Sequence, residues 1–357
     1  MRTRHVVVTG GAGFIGSCFV RRLLTRDDRV RVTVLDKLTY AGNRANLREI
    51  ADDLALASRL EFIQGDIADR DLARSVARDA DAIVNFAAET HVDRSILDPT
   101  EFLKTNVSGV HSLLEATRAE HERATRGERE HAPRLLQVST DEVYGSVERG
   151  ESVETDPLAP RSPYAAAKAA GELLAQSYFV TYGVDVVITR GANTYGPHQH
   201  PEKLIPLFVT NAIDDQPLPM YGDGMQRRDW LYVDDHADAI AFVLANGDAG
   251  QAYNVAGAHQ TANREVIIAL LARIGKPWSL VRSVADRPGH DRRYAMSGAR
   301  LASLGFTPQV SFDDGIARTV RWYVENEAWW RSVRSGDWHD YYTRQYADRL
   351  ATSSAAD

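Results

Sequence analysis

Three groups of residues in this chain are of types and spacings that do chemistry. The first is Thr9-Gly10-Gly11-Ala12-Gly13-Phe14-Ile15-Gly16, which follows the apolar run Val6-Val7-Val8 and opens a helical pattern. Glycines at 10 or 11, 13 and 16 permit a tight turn, close approach of a pyrophosphate and close packing of helix on strand. The helix N-terminus then offers its unpaired N–H groups and positive dipole to phosphate. Glycine-rich turns are common, so context decides: a strand precedes, a helix follows, and Asp36 closes the next apolar run. Asp36 is placed to accept ribose hydroxyls. A 2′-phosphate there would meet a like charge at a cost of up to ~4 kcal/mol at about 4 Å with an effective dielectric near ~20. NAD is therefore expected over NADP, with Lys37 and Arg44 pulling the other way. Gly65-Asp66-Ile67 after the third apolar run is placed to meet the adenine, and Phe86-Ala87-Ala88 after the fourth to lie along the cofactor.

The second group is Ser162-Pro163-Tyr164-Ala165-Ala166-Ala167-Lys168. Ser162 is a good N-cap and Pro163 suits the first helical position, which puts Tyr164 and Lys168 at i and i+4 on one face. That spacing alone is weak, because a surface tyrosine beside a solvated lysine gives the same pattern. The third group, Ser139-Thr140-Asp141-Glu142, ends the fifth apolar run, where an open parallel sheet places its ligands. A lysine and an oxidised nicotinamide beside Tyr164 are expected to lower its phenol from about 10 towards neutrality. The phenolate could then take a hydroxyl proton while hydride leaves the same carbon. The adjacent carboxylates of Asp141 and Glu142 could divide into acid and base.

These groups need a scaffold, and the first half of the chain supplies one. Short β-branched runs (Val6 to Val8, Val32 to Leu35, Glu61 to Ile63, Ala82 to Val84, Leu135 to Val138, then Val186 to Thr189) alternate with helical stretches. Among those are Ile15 to Leu24, Leu72 to Ala77, Phe102 to Thr117 and the long helix after Ser162. The alternation predicts an α/β fold, a doubly wound parallel sheet of Rossmann-like type with helices on both faces. The second half carries Pro197, Pro201, Pro206, Pro217 and Pro219 and the turn Tyr221-Gly222-Asp223-Gly224, which predicts a smaller mixed lobe over the carboxyl edge. His121 to His131 reads as a charged, apolar-poor connector, a solvated loop or a helix end.

Composition narrows the class. Hydrophobic residues at 44% and charged residues at 25% are ordinary for a globular protein, and a net charge of -7 argues against nucleic-acid binding. No run is long and apolar enough to span a membrane, and the first strand pattern begins too early for a leader, so a cytoplasmic location is expected. Cys18 is the one cysteine, which excludes an internal disulfide. Lysines stand only at 37, 104, 168, 203 and 276, and three of the five fall inside the motifs discussed here.

From about Arg4 to Trp330 the chain resembles the extended short-chain dehydrogenase/reductase superfamily and, within it, the dTDP-glucose 4,6-dehydratases. The similarity is carried by Thr9 to Ser17, Leu35 to Asn43, Ala87 to Ser95 and Ser139 to Gly145, then by Tyr164 to Lys168, Pro201 to Pro206, Tyr221 to Tyr232 and Asp286 to Asp291. Asp141-Glu142 discriminates: related epimerases lack both acids, and GDP-mannose dehydratases and UDP-glucuronate decarboxylases usually read Ser-Glu. The resemblance implies that Tyr164 removes the C4 hydroxyl proton while NAD takes the hydride, that Glu142 takes the C5 proton and that Asp141 protonates the departing C6 hydroxyl before hydride returns to C6. Thr140 would bond the C4 oxygen and Lys168 the nicotinamide ribose.

The same resemblance implies NAD, tightly held and recycled, at Gly10, Gly13, Phe14, Ile15, Gly16, Asp36, Lys37, Thr39, Ala41, Gly42, Asp66, Ile67, Ala87 and Ala88 as well as at Tyr164 and Lys168. It places Glu89, His91 and Arg94 on the sugar side, with Asn193, Lys203, Arg228 and Arg287 towards the diphosphate, Pro219 and Tyr221 around the base, and Leu204 among the substrate contacts. No metal site is implied. The expected division is a cofactor domain over 1–192, rejoined by 230–256, a nucleotide-sugar lobe from 193–229 and 257–330, and a tail over 331–357. The helices Phe102 to Thr117 and Pro163 to Tyr182 resemble the family's dimer surface, so a homodimer is expected. The rivals are a UDP-sugar 4-epimerase or decarboxylase, and a non-catalytic NAD-binding regulator, which would have no need of Thr140, Tyr164 and Lys168 together. One departure stands out: where the family typically reads Arg-Cys-Ser-Asn-Asn-Tyr, this chain has Arg190-Gly191-Ala192-Asn193-Thr194-Tyr195.

Overall fold

The structure, a computed structural model, describes residues 4–257, 259–286, 290–335 and 337–355. Its strands run β1 (Arg4–Thr9), β2 (Val30–Asp36), β3 (Leu60–Gln64), β4 (Ala82–Asn85), β5 (Arg134–Thr140) and β6 (Val186–Gly191). They continue through β7 (Asn193–Tyr195), β8 (Leu218–Tyr221), β9 (Arg227–Tyr232), β10 (Ala252–Val255), β11 (His259–Ala262), β12 (Val281–Val284) and β13 (Ser354–Ala355). Seven of them form a parallel sheet in the order β10-β6-β5-β4-β1-β2-β3. Alternate side chains feed opposite layers, as the two-residue period of a strand requires. Val6, Val8, Val32 and Val34 join the helices Phe14–Arg26 and Val233–Asn246, while Val7, Leu35 and Ile83 join Val110–Thr125. Burial on both faces is why these strands read as continuous apolar runs. The strand order reverses beside β1, and the carboxyl ends of β1, β2, β4, β5 and β6 open there into a crevice.

The second lobe is built on two three-stranded sheets, β11-β9-β7 and β13-β12-β8, each with one parallel and one antiparallel pairing. Its core gathers Tyr195, Phe208, Trp230, Leu270, Tyr323 and Trp330. Trp338 and Tyr346 belong to the same core, so the expected tail is a structural part of this lobe: helix Asp337–Ala351 lies in it and β13 pairs with β12. Residues 230–232 lie in the small sheet as part of β9. The return to the large sheet is made by helix Val233–Asn246 and β10. The expected helix Phe102 to Thr117 is three pieces, Thr100–Leu103, a π turn Lys104–Gly109 and Val110–Thr125, and so the connector after His121 is helical to Thr125. π turns commonly mark functional positions; here the turn brings Thr105 to the crevice wall and lets Asn106 clamp the backbone of Glu89 from both sides, at 2.9 and 3.0 Å.

One buried ion pair ties the crevice together. Arg190 on β6 donates through Nε to Glu172 Oε1 at 2.8 Å, and both side chains are almost wholly buried. Glu172 lies on helix Pro163–Tyr182, the helix of Tyr164 and Lys168. The same guanidinium donates to Tyr144 Oη and to the Glu154 carbonyl, and Tyr144 closes the 3-10 turn Asp141–Tyr144. Removing one partner strands a buried charge, at about 3–5 kcal/mol. Glu172→Ala should lower the unfolding free energy in urea by about that amount, and a loss below ~1 kcal/mol would show that the pair is not a keystone.

Candidate active site

Every one of the sixteen positions expected around the cofactor lines a single cavity at the carboxyl edge of the sheet. Gly10 sits at φ +67°, and a Cβ there would lie 2.6 Å from the backbone N of Ala87; only glycine fits. At Gly16 a Cβ would collide with the Gly10 carbonyl, which keeps helix Phe14–Arg26 close to β1. Asp36 is buried at the end of β2, and its carboxylate accepts from the backbone N–H of Ala12 at 2.9 Å and of Leu38 at 2.8 Å. Those bonds aim it across the cavity and leave lone pairs for a ligand's hydroxyls. The cations that could have welcomed a 2′-phosphate are engaged elsewhere. Lys37 pairs with Asp66 at 3.0 Å and Glu101 at 3.5 Å, and Arg44 stacks on Phe62 at 4.2 Å. A glycine cradle, a ribose-side carboxylate and small residues along the floor together fit NAD.

Thr140, Asp141, Glu142, Tyr164 and Lys168 line the other end of the same cavity. Ser162 caps the helix by accepting from the Ala165 N–H at 3.1 Å, and Ser95 accepts from the Tyr164 N–H at 3.2 Å. The Thr140 hydroxyl donates to Asp141 Oδ1 at 3.1 Å and accepts from the Glu142 N–H at 3.3 Å. Asp141 is enclosed, and burial first, then the Glu142 charge, pushes its carboxyl up to about 8. Glu142 is only partly buried and lies 3.4 Å from the Tyr294 hydroxyl, whose one hydrogen goes to Asp291 at 2.7 Å. The two adjacent carboxyls are therefore unequal, one holding its proton at neutral pH.

Tyr164 behaves differently from expectation. Burial, followed by the Glu142 charge, raises its phenol above the ordinary value, with Thr140 as the one neighbour pulling down. Lys168 does share its helical face, but its ammonium donates to the Val138 carbonyl at 2.6 Å and is itself lowered to about 8 by burial. The protein's own charges do not make the phenolate.

Of the expected substrate contacts, Glu89, Asn193 and Lys203 line the cavity. Lys203 also donates to the Thr90 carbonyl at 2.7 Å. His91, Arg94, Leu204, Pro219, Tyr221 and Arg228 are not on its wall, and Arg287 lies outside the described residues. His91 is buried against Tyr341, at about 4 because of that burial. Arg94 pairs with the buried Glu202 at 3.0 Å and is sandwiched between the rings of Tyr40 and Tyr341 at 4.2 and 4.3 Å. Leu204 opens helix Leu204–Ile213 and packs on the second core, and Pro219 lies within β8. Tyr221 donates to Asp93 at 3.0 Å and accepts from Gln345 at 2.8 Å. Arg228 lies over Tyr294 at 4.4 Å and donates to the Asp291 carbonyl at 2.9 Å. These partners come from segments remote in sequence, which is why the motifs did not announce them. Thr90, Thr105, Gln199, His200, Glu202 and His236 line the cavity without having been singled out. For Glu202 the signal lay within the quoted Pro201 to Pro206 segment; for Tyr294, which sits just beyond Asp286 to Asp291, there was none.

A family model described as GDP-mannose 4,6 dehydratase matches residues 7–319. The dTDP-glucose 4,6-dehydratase of Streptomyces niveus is 49% identical over 338 residues, covering 93% of this chain and 96% of that protein. A crystal structure of a dTDP-glucose 4,6-dehydratase from Streptomyces venezuelae, with NAD and dTDP bound, is 51% identical with a TM-score of 0.85, covering 92% of this chain and 99% of that one. The UDP-glucose 4-epimerase of Thermus thermophilus, in complex with NAD, is 33% identical with a TM-score of 0.79, covering 90% of this chain and 99% of that one.

The raised carboxyl of Asp141 carries a stability signature. Between the ordinary aspartate value of about 4 and about 8, the folded protein holds a proton that the unfolded chain has released, so this group's contribution falls as pH rises through that window. Asp141→Asn, which cannot ionise, should gain on the wild type by ~1 kcal/mol or more from pH 5 to pH 8, a shift of a few degrees in Tm by calorimetry. Parallel curves would show that Asp141 is ionised throughout.

Proposed function

The chain belongs to the GDP-mannose 4,6 dehydratase family, and from that premise we propose that it is a dTDP-glucose 4,6-dehydratase that converts dTDP-glucose to dTDP-4-keto-6-deoxyglucose and water with recycled NAD. The observation that carries this reading is the pair Asp141 and Glu142 on one turn, unequal in burial, beside Thr140 and Tyr164. An epimerase needs neither acid, and a sensor needs no such pair. The relatives' names support the same activity.

NAD, held by the Gly10–Gly16 turn, Asp36 and Lys168, supplies a reversible hydride acceptor. Tyr164 Oη takes the C4 hydroxyl proton, assisted by Thr140. Its phenol stands high in the protein alone, so its acidity depends on the positive charge that the cofactor brings. Once C4 is a ketone, the C5 proton is acidified, and the partly exposed Glu142 takes it. Asp141, protonated at neutral pH, delivers its proton to the C6 hydroxyl, which leaves as water; the hydride taken from C4 then returns to C6 and Glu142 gives its proton back to C5. Glu89, Asn193 and Lys203 are the wall residues nearest the role of substrate contacts.

No helix among the described residues is long and apolar enough to cross a membrane. For assembly we propose a homodimer through helices Val110–Thr125 and Pro163–Tyr182, supported by solvent-facing Leu173 and Val180 on one face of the second helix, of which Val180 is 81% exposed. An apolar stripe of that kind is what a helix-packed interface covers. Light scattering of Val180→Glu against the wild type should show a shift from dimer to monomer, and a wild type already monomeric at micromolar concentration would end this assignment.

Purified protein incubated with dTDP-glucose and no added cofactor should yield a product lighter by one water, read by mass spectrometry. No product with dTDP-glucose, with or without added NAD, would refute the reading. Tyr164→Phe should cut turnover by about 10²–10⁴-fold while retaining NAD. Asp141→Asn should still oxidise C4, seen as accumulated reduced cofactor, while elimination slows; equal loss of both steps would remove Asp141 as the C6 acid.

A further inference from the structure

The loop that departs from the family's usual residues has its partner on another element. Strand β6 ends at Gly191, in register with Thr140 on β5, at the Tyr164 end of the cavity and away from Asp36 and Asp66. A Cβ at 191 would lie 2.5 Å from His236 Nε2; the imidazole occupies the room that a side chain there would take. His236, on helix Val233–Asn246, is 2% exposed and lines the cavity. Its Nδ1 lies 2.7 Å from Thr194 Oγ1, and the Thr194 hydroxyl donates to the Ala192 carbonyl at 3.0 Å.

A hydroxyl has one hydrogen. With that hydrogen given to Ala192, Thr194 presents a lone pair to the ring, so Nδ1 carries the ring hydrogen. Burial keeps the imidazole neutral, at about 4, and Nε2 is then a bare acceptor, buried with no partner among the described residues. Buried polar atoms are normally satisfied, and an exception beside a reaction centre asks for a ligand.

We infer that His236 Nε2 accepts a hydrogen bond from the carboxamide NH₂ of the nicotinamide, with Gly191 making room for the ring and Thr194 fixing its tautomer. The assignment rests on the NAD reading above. At this end of the dinucleotide the available donors are the carboxamide and the ribose hydroxyls, and Tyr164 and Lys168 take the ribose under that reading. The adenine amino group lies at the far end, with Asp36 and Asp66. Two of the substituted loop positions thereby acquire one purpose: glycine at 191 admits the ring, and a hydroxyl at 194 replaces an amide that could have oriented it either way.

The test is competition between NAD and 3-acetylpyridine adenine dinucleotide, in which a methyl group replaces the carboxamide NH₂, on the full-length protein without substrate. The wild type should prefer NAD by about tenfold, the worth of one such bond. His236→Leu and Thr194→Val should each bring that ratio close to one, and Gly191→Ala, which pushes the ring aside, should lower it. Should His236→Leu fail to fold, the isosteric Thr194→Val gives the same reading. Ratios unchanged in the variants, or nitrogen chemical shifts that put the ring hydrogen on Nε2, would overturn the inference while leaving dehydration of dTDP-glucose intact. A wild type that binds neither dinucleotide would bring down the cofactor reading as well.

Discussion

The arrangement depends first on a charge that cannot leave the interior. Arg190 and Glu172 are both buried, and neither can be solvated once the sheet and helix Pro163–Tyr182 have met. Each holds the other, and the guanidinium's remaining hydrogens reach Tyr144 and Glu154. A hydrophobic contact would tolerate a small slide of helix on strand, whereas charge-assisted hydrogen bonds are directional and do not. Tyr164 and Lys168 ride on one side of this anchor and Asp141 and Glu142 on the other, so their mutual placement is set by electrostatics rather than by packing alone.

The chemistry then follows from unequal burial. Adjacent acids of the same type would ordinarily titrate together, but one is enclosed and the other looks towards Tyr294 and Asp291. Neutralising Asp141 relieves both its desolvation and its repulsion from Glu142, so the enclosed group is the natural proton donor. The phenol of Tyr164 is raised by the same enclosure. The cavity therefore stores a proton on Asp141 and withholds basicity from its tyrosine until a positive charge arrives beside it.

Local features were legible in the sequence and distant ones were not. The glycine turn, Asp36, and the Ser162-Pro163 start that aims Tyr164 and Lys168 are encoded within short windows, and the structure collects them on one wall. The fates of His91 and Arg94 were hidden, because Glu202, Tyr40 and Tyr341 lie far away in the chain. Arg94 looks like an anion ligand by type and by motif, and it is in fact the cationic layer between two aromatic rings. The aromatic end segment carried no motif and proved to be core, through Trp338 and Tyr346. The π turn at Lys104–Gly109 was equally invisible, since nothing in its composition distinguishes it from the helices on either side.

Both lobes are closed by residues that are synthesised late. The central sheet is finished only by β10, and the second core only when Trp338 and Tyr346 reach it. A chain emerging from the ribosome can wind β1 to β6 early, as domains generally do from the N-terminal side, whereas the second core lacks Trp338 and Tyr346 until its last helix is made. The second core thus stays open on its apolar side until helix Asp337–Ala351 has been made, so it is completed after the sheet beside it.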